Sequence, residues 1–250
     1  MQINKFTKKK NGMYNIVLED GSEFLAYEDI ILKYDLLLKK NLSSDEKEKI
    51  LQENLIYISY DLAIKYISIK MRTEKEIKEY LITKNIDKII IDKTIEMLKK
   101  SKYIDDNAYT IAYINNRITL SNDGPNKIIK ELINKGINEN IALSKISQFT
   151  EEIQLEKIKK ITEKIINTNR NKSSNALKSK ITEYLVNLGY NKSFIIEHLN
   201  QQDLHDDEKI AKKEYDKIAK KLSKKYSGKE LEYKIKQKLY SLGFQNYDID

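Results

Sequence analysis

The sequence predicts a mainly α protein, built of tandem three-helix repeats in an elongated array behind a small N-terminal antiparallel β-sheet. Three observations carry that prediction. One helical frame recurs four times along the chain. Two tight-turn signals stand close to the N-terminus. Only seven Gly and one Pro occur in 250 residues, too few for a loop-rich sandwich or a dinucleotide-binding α/β fold. Apolar residues make up 40% and charged residues 34%, a balance that suits helices with one buried face and a charged outer face.

The sheet is read from its turns. Asn11-Gly12 and Asp20-Gly21 favour the positive φ angles of tight hairpins, and they separate Lys5–Lys10, Met13–Leu18 and Glu23–Tyr27. Three short strands cannot bury enough surface alone. They are expected to pack on a helix from about Glu28 to Lys39, where Ile31, Leu32, Leu36 and Leu38 leave a mostly apolar face. Beyond Leu42 everything reads as helix. Ser43 precedes Glu46 by three positions and Thr73 precedes Glu76 by three, the spacing of a capping box. Pro125 follows Asp123-Gly124, as expected for the first position of a helix.

The repeated frame is Ile77-x3-Leu81-x3-Asn85-Ile86, Ile128-x3-Leu132-x3-Gly136-Ile137, Ile181-x3-Leu185-x3-Gly189-Tyr190 and Ile235-x3-Leu239-x3-Gly243-Phe244, with starts 51, 53 and 54 residues apart. Ile and Leu at i, i+4 share one helix face. Gly, or Asn in the first copy, stands where a helix ends in a left-handed residue. The apolar residue after it is expected to fold back on the Leu five before it, giving the pairs Leu81–Ile86, Leu132–Ile137, Leu185–Tyr190 and Leu239–Phe244. Further helices flank each frame: Ile58–Lys70, Asp105–Leu120, Glu151–Ile166 and Asp206–Lys225 ahead, and short apolar-periodic stretches behind. The domain reading is a strand region plus helix (1–42), a connecting helix (43–57), three-helix repeats over 58–103, 104–150 and 151–203, and a partial fourth repeat over 204–250. Units that contact only their neighbours are expected to form an elongated chain.

Catalytic chemistry finds no purchase. Cys is absent, which removes thiolate nucleophiles, disulfides and Cys-bearing zinc sites. The glycines form neither a dinucleotide nor a phosphate-loop motif. His198 and His205 are read as ordinary packing or surface residues. Asp105-Asp106 and Asp206-Asp207-Glu208 are read as favourable charge at helix N-termini rather than as metal ligands. No enzyme activity, cofactor or metal is expected. No segment is long and apolar enough to span a membrane, and the basic N-terminus lacks the apolar core of a secretory signal; the expected location is the cytoplasm.

Charge is the remaining signal. The chain carries +8, almost all from lysine, because Arg72, Arg117 and Arg170 are its only arginines. Between Lys209 and Lys238 twelve Lys face only Glu214, Asp216, Glu230 and Glu232, a local +8. Such a stretch is either a surface for phosphates or an acidic partner, or a solvated face of a lysine-rich protein. The seventeen Tyr could stack on unpaired bases, but Tyr57, Tyr60, Tyr109 and Tyr113 fall at helical spacings that suit packing.

Residues 58–150 resemble the RecX family of bacterial recombination regulators. The likeness rests on Tyr66-Ile67-Ser68, Arg72-Thr73-Glu74-Lys75-Glu76-Ile77, Tyr103-Ile104-Asp105-Asp106-x2-Tyr109, Arg117, Gly124, Ile128, Glu131-Leu132 and Lys135-Gly136-Ile137. The strand region resembles the extension of long members from Gram-positive bacteria. Asn85 departs from the family's Gly, and a fourth unit extends beyond the three of short members. The resemblance implies a non-enzymatic, monomeric protein that binds the RecA recombinase filament and modulates it, in the direction of inhibition, in recombination, repair and the SOS response. Basic faces holding Arg72, Lys75, Arg117, Lys127, Lys130 and Lys135 are then the candidates to meet RecA, or single- or double-stranded DNA. The alternative is a helical regulator that acts directly on DNA; the scarcity of Arg counts against base readout by it.

Overall fold

The computed structural model describes residues 1–9, 12–201, 204 and 207–244. The chain divides into two compact units, Met1–Tyr109 with Lys135–Ile137, and Thr110–Asn134 with Asn138–Asp250. It is mainly helical, with a three-stranded sheet at its N-terminus, as the sequence predicts.

In the first unit, β1 (Ile3–Lys8), β2 (Met13–Leu18) and β3 (Glu23–Tyr27) are antiparallel in that order. Phe6 lies opposite Ile16, and Ile16 opposite Phe24. Gly21 has φ +80° and donates to the Leu18 carbonyl, closing the second turn. Asn11 of the first turn lies outside the described residues. Strand β1 starts two residues earlier than expected, because Ile3 and Phe6 pack on the core and the Ile3 N–H donates to the Lys40 carbonyl.

Helix α1 (Glu28–Lys33) is shorter than the Glu28–Lys39 expected from its apolar face. Asp35 stops it by adopting φ +49°, and the Leu36 N–H then reaches back to the Ile31 carbonyl at 3.0 Å. Both Ile31 and Leu36 are buried, so the cap closes by the fold-back contact typical of left-handed helix ends. Leu32 and Leu38, expected on the apolar face, are exposed instead.

Helix α2 (Ser44–Ile67) runs unbroken through the expected junction between a connecting helix and the first repeat. It contains no Gly or Pro to stop it, and it serves two cores. Its first half places Ile50 and Tyr57 against the sheet. Its second half places Ala63, Tyr60 and Ile67 against α3 (Glu74–Thr83) and α4 (Lys88–Lys100). The capping boxes at Ser43/Glu46 and Thr73/Glu76 are both formed. Asn54 is buried on α2 and completes the free edge of β3: its Oδ1 accepts from the Tyr27 N–H at 2.9 Å and its Nδ2 donates to the Leu25 carbonyl at 2.8 Å. One side-chain amide thus supplies the donor and acceptor that a fourth strand would have supplied.

Helix α5 (Asp106–Leu120) leads into the second unit, followed by α6 (Pro125–Asn134), α7 (Glu139–Lys145) with a 3-10 turn at Ile146–Gln148, α8 (Glu151–Thr168), α9 (Ser174–Asn187), α10 (Lys192–Asn200), α11 (Asp207–Leu222) and α12 (Gly228–Ser241). The four Ile/Leu pairs of the repeated frame lie on α3, α6, α9 and α12, and each residue is at most 1% exposed. The frame helices end as predicted. Asn85, Gly136, Gly189 and Gly243 have φ between +58° and +95°. The N–H groups of Ile86, Tyr190 and Phe244 bond back to Leu81, Leu185 and Leu239 at 3.3, 3.1 and 3.1 Å.

These helix ends have a second use. In the second unit, the first turn of α6 meets the last turn of α9: Gly124 N–H donates to the Leu188 carbonyl at 2.7 Å, and Asn126 N–H to the Gly189 carbonyl at 3.0 Å. The first turn of α9 meets the end of α12 in the same way, with Ser173 N–H on the Leu242 carbonyl at 3.0 Å. In the first unit, Thr73 Oγ1 at the start of α3 donates to the Lys135 carbonyl at 2.7 Å. Donors left free at one helix start meet carbonyls left free at another helix end, and the opposed partial charges attract. The backbones are so close that a Cβ on Gly189 would lie 2.5 Å from the Lys127 nitrogen, and one on Gly136 would lie 2.6 Å from Lys75 Cβ.

Candidate functional site

The candidate basic residues fall into two groups, one in each unit. In the first unit, Arg72 closes the turn between α2 and α3. Its guanidinium carbon lies 3.9 Å from the centre of the Tyr66 ring. Tyr66 stacks on Tyr80 with centroids 4.1 Å apart and planes 6° from parallel, and Lys84 Nζ lies 5.3 Å from the Tyr80 ring. A column of two cations and two aromatic rings results, favoured because a guanidinium is flat and weakly hydrated. Ile69 and Met71, in the same turn, are exposed.

Lys75 is exposed on α3 and lies 3.9 Å from Glu79. Lys135 Nζ is 3.1 Å from Glu76 Oε1. Burial pushes the Glu76 carboxyl up, but the hydrogen bond from the Thr73 N–H and the Lys135 ammonium overcome it and hold the group below the usual carboxylate range.

In the second unit, Arg117 is held by three partners. Its Nη2 lies 2.7 Å from Glu131 Oε2 and its Nη1 3.4 Å from Asp123 Oδ2. Its Nε and Nη2 donate to the Tyr113 hydroxyl at 3.1 and 3.0 Å, and that hydroxyl donates to Glu131 Oε2 at 2.7 Å. Lys127 Nζ pairs with Asp123 Oδ1 at 2.6 Å. Asp123 is buried. Burial raises its carboxyl, yet hydrogen bonds from Lys127 and Ser121 and the Arg117 charge more than offset this and leave it lowered. Lys130 stands exposed on α6. Five of the six candidates are therefore built into ion pairs, stacking or a close backbone approach.

The acidic clusters are bound up with helix starts, as the sequence reading has it, but each serves two helices. Asp105 caps α5 by accepting from the Asn107 and Ala108 N–H groups. Asp106 accepts from the backbone N–H of Glu74, the first residue of α3. Asp207 accepts from the N–H and hydroxyl of Ser174, the first residue of α9, at 2.8 Å each. His205 and Asp206 lie outside the described residues. Among the described residues no group of three or more His, Asp or Glu is placed to hold a metal, and no helix is long and apolar enough to cross a membrane.

The Tyr66–Tyr80 stack escaped sequence reading. Its partners sit on different helices, and their spacing carries no local signal.

The fold defines a tandem helical-repeat protein with basic, tyrosine-bearing surfaces. Comparison with known proteins narrows the class. The family description "RecX, first three-helix domain" matches residues 60–98. The chain is 30% identical over 254 residues to regulatory protein RecX of Streptococcus uberis, and 32% identical over 256 residues to that of Streptococcus pneumoniae strain R6. Each alignment spans 100% of this chain and 97% of the relative. A crystal structure of regulatory protein RecX superposes with a TM-score of 0.72 at 27% identity, covering 80% of this chain and 99% of that one. RecX from Lactobacillus salivarius gives 0.57 at 29% identity, covering 60% and 99%. The chain belongs to the RecX family.

Proposed function

We propose that this chain is a regulator without chemistry of its own, which binds RecA in the cytoplasm and restrains the activity of its filament in recombination, repair and the SOS response. The observation that carries this reading is the similarity to proteins named regulatory protein RecX along the whole chain, strand region and fourth unit included. The physical logic is multivalency. A filament repeats one protomer surface, and a tandem chain of like units engages several copies at once, so weak contacts gain from effective concentration. The basic faces, with Arg72, Lys75, Arg117, Lys127, Lys130 and Lys135, supply contacts that weaken with salt.

The test is DNA-dependent ATP hydrolysis and strand exchange by the RecA of the same organism, titrated with this protein at low and moderate salt. A dose-dependent fall in both, relieved by salt, is expected. No effect on RecA, together with tight binding to DNA alone, would overturn this reading in favour of a direct DNA regulator.

A further inference from the structure

Helix α12 carries a surface that its packing does not use. Ile235 and Leu239 are buried against α11, with Ala211 and Phe244 in the same core. On a different face stand Lys229, Tyr233, Lys236 and Tyr240, at i, i+4, i+7 and i+11, which line one stripe of a helix. All four are exposed, and the two tyrosines are 64% and 65% exposed. Lys234 Nζ lies 5.9 Å from the Tyr233 ring, adding a further cation beside the stripe. Two tyrosines seven residues apart lie about 10 Å apart along the helix, and the two lysines have the same spacing.

The pattern belongs to the fourth unit alone. In the frame, Tyr233 corresponds to Lys75, Asn126 and Ser179, and Tyr240 to Ile82, Ile133 and Val186. The common helix packing therefore does not require these rings. The surroundings are cationic, because the Lys209–Lys238 stretch carries its local +8 on α11 and α12.

We infer that this stripe of α12 binds single-stranded nucleic acid without sequence preference. A single strand presents alternating phosphates and open base faces, and lysine alternating with exposed tyrosine complements both. A duplex hides its base faces and would leave the rings unused. An acidic protein surface would answer the lysines but not the aromatic pair. The stripe has no Arg, the residue most used to read guanine edges. This inference goes beyond the RecA reading and does not depend on it.

The experiment is fluorescence anisotropy of the full-length protein with a labelled oligo-dT of about twenty nucleotides and with a duplex of equal length, across a salt series and without RecA. The strand should be preferred over the duplex. Tyr233→Ala with Tyr240→Ala should weaken oligo-dT binding at least about tenfold, while the Tyr→Phe pair, which keeps both rings, stays within about twofold. Lys229→Gln with Lys236→Gln should flatten the dependence of log K on log salt by about 1.4, for two phosphates released. Melting curves check the fold of each variant, and if the alanine pair melts early the phenylalanine and glutamine pairs decide. Equal binding of strand and duplex, an alanine pair that folds and binds like the parent, a phenylalanine pair that loses binding, or an unchanged salt slope would each overturn the assignment. The RecA titration stands or falls separately, since no RecA is present here.

Discussion

The carboxylate of Asp207, at the start of α11, accepts two hydrogen bonds from Ser174, the first residue of α9, at 2.8 Å each. Asp106, at the start of α5, accepts from the N–H of Glu74, the first residue of α3. In both cases an acid from the next unit satisfies the first orphan donor of a frame helix. The corresponding first residue of α6 is Pro125, which has no N–H to satisfy. No aspartate pair stands at the start of α8, where Glu151 and Glu152 follow Thr150. Presence of the acid thus tracks presence of the donor.

Removing the acid should therefore cost stability although no apolar contact is lost. Asp207→Ala is expected to destabilise the chain by about 1–2 kcal/mol. Asp207→Asn, which still accepts through its amide oxygen, should cost less. Chemical denaturation of the three proteins tests this, and equal midpoints would rule out a capping role for Asp207.

Asn85 and Gly189 occupy the same place in the frame, with φ +58° and +93°, yet only Gly189 lies against another helix start. Asn is tolerated at a left-handed cap when nothing crowds its Cβ. Asn85→Gly should change stability by only a few tenths of a kcal/mol. Gly189→Ala should cost well over the ~1 kcal/mol of backbone strain alone, because its methyl would meet Lys127 backbone. Gly136→Val should exceed ~1 kcal/mol as well. Gly136→Asn avoids part of the φ penalty and is milder, but it still meets Lys75 Cβ. Thermal melts that rank Gly189→Ala beside Asn85→Gly would contradict the close approach.

Local signals were readable and tertiary ones were not. The boxes at Ser43 and Thr73, the first-turn Pro125 and the left-handed caps each lie within six residues of sequence, so residue type alone announces them. The early end of α1 lies equally close, but Asp at a left-handed position is rarer than Gly or Asn, and the apolar run Leu36–Leu38 masks it. Asn54 on the edge of β3, Tyr66 against Tyr80, and Asp106 on Glu74 join segments far apart in sequence. Spacing along the chain does not encode such contacts. The six basic candidates show the same limit: their charge is readable, but the partners that occupy Arg117 and Lys135 come from the fold.

Acid should unfold this protein through those partners. The carboxyls of Glu76 and Asp123 are both held below the usual value in the folded chain. Their contribution is complete above the unfolded carboxylate range near pH 4, and it is lost as pH falls through the lower folded values. The melting temperature should therefore drop as pH falls below about 5. Glu76→Gln should flatten that drop. A profile level down to pH 3 would show that these pairs contribute nothing.

The nearly spoken-for state of the basic residues separates structural from contact roles. Arg117→Gln removes the bonds to Glu131 and Tyr113 and one counter-charge from buried Asp123, so it should cost about 1–3 kcal/mol in stability. Its effect on RecA should then follow the loss of folded protein. Lys130 is exposed on the same stretch of chain, and Lys130→Glu should leave stability within about 0.5 kcal/mol. If the face of α6 meets RecA or its DNA, this reversal should still raise the concentration needed to restrain ATP hydrolysis, and more so at low salt where charge is least screened. Melting curves beside RecA titrations of both variants tell the two roles apart. A Lys130→Glu protein that folds and restrains RecA like the parent at low salt would remove the α6 face from the contact surface and leave the Arg72 column of the first unit as the next to test.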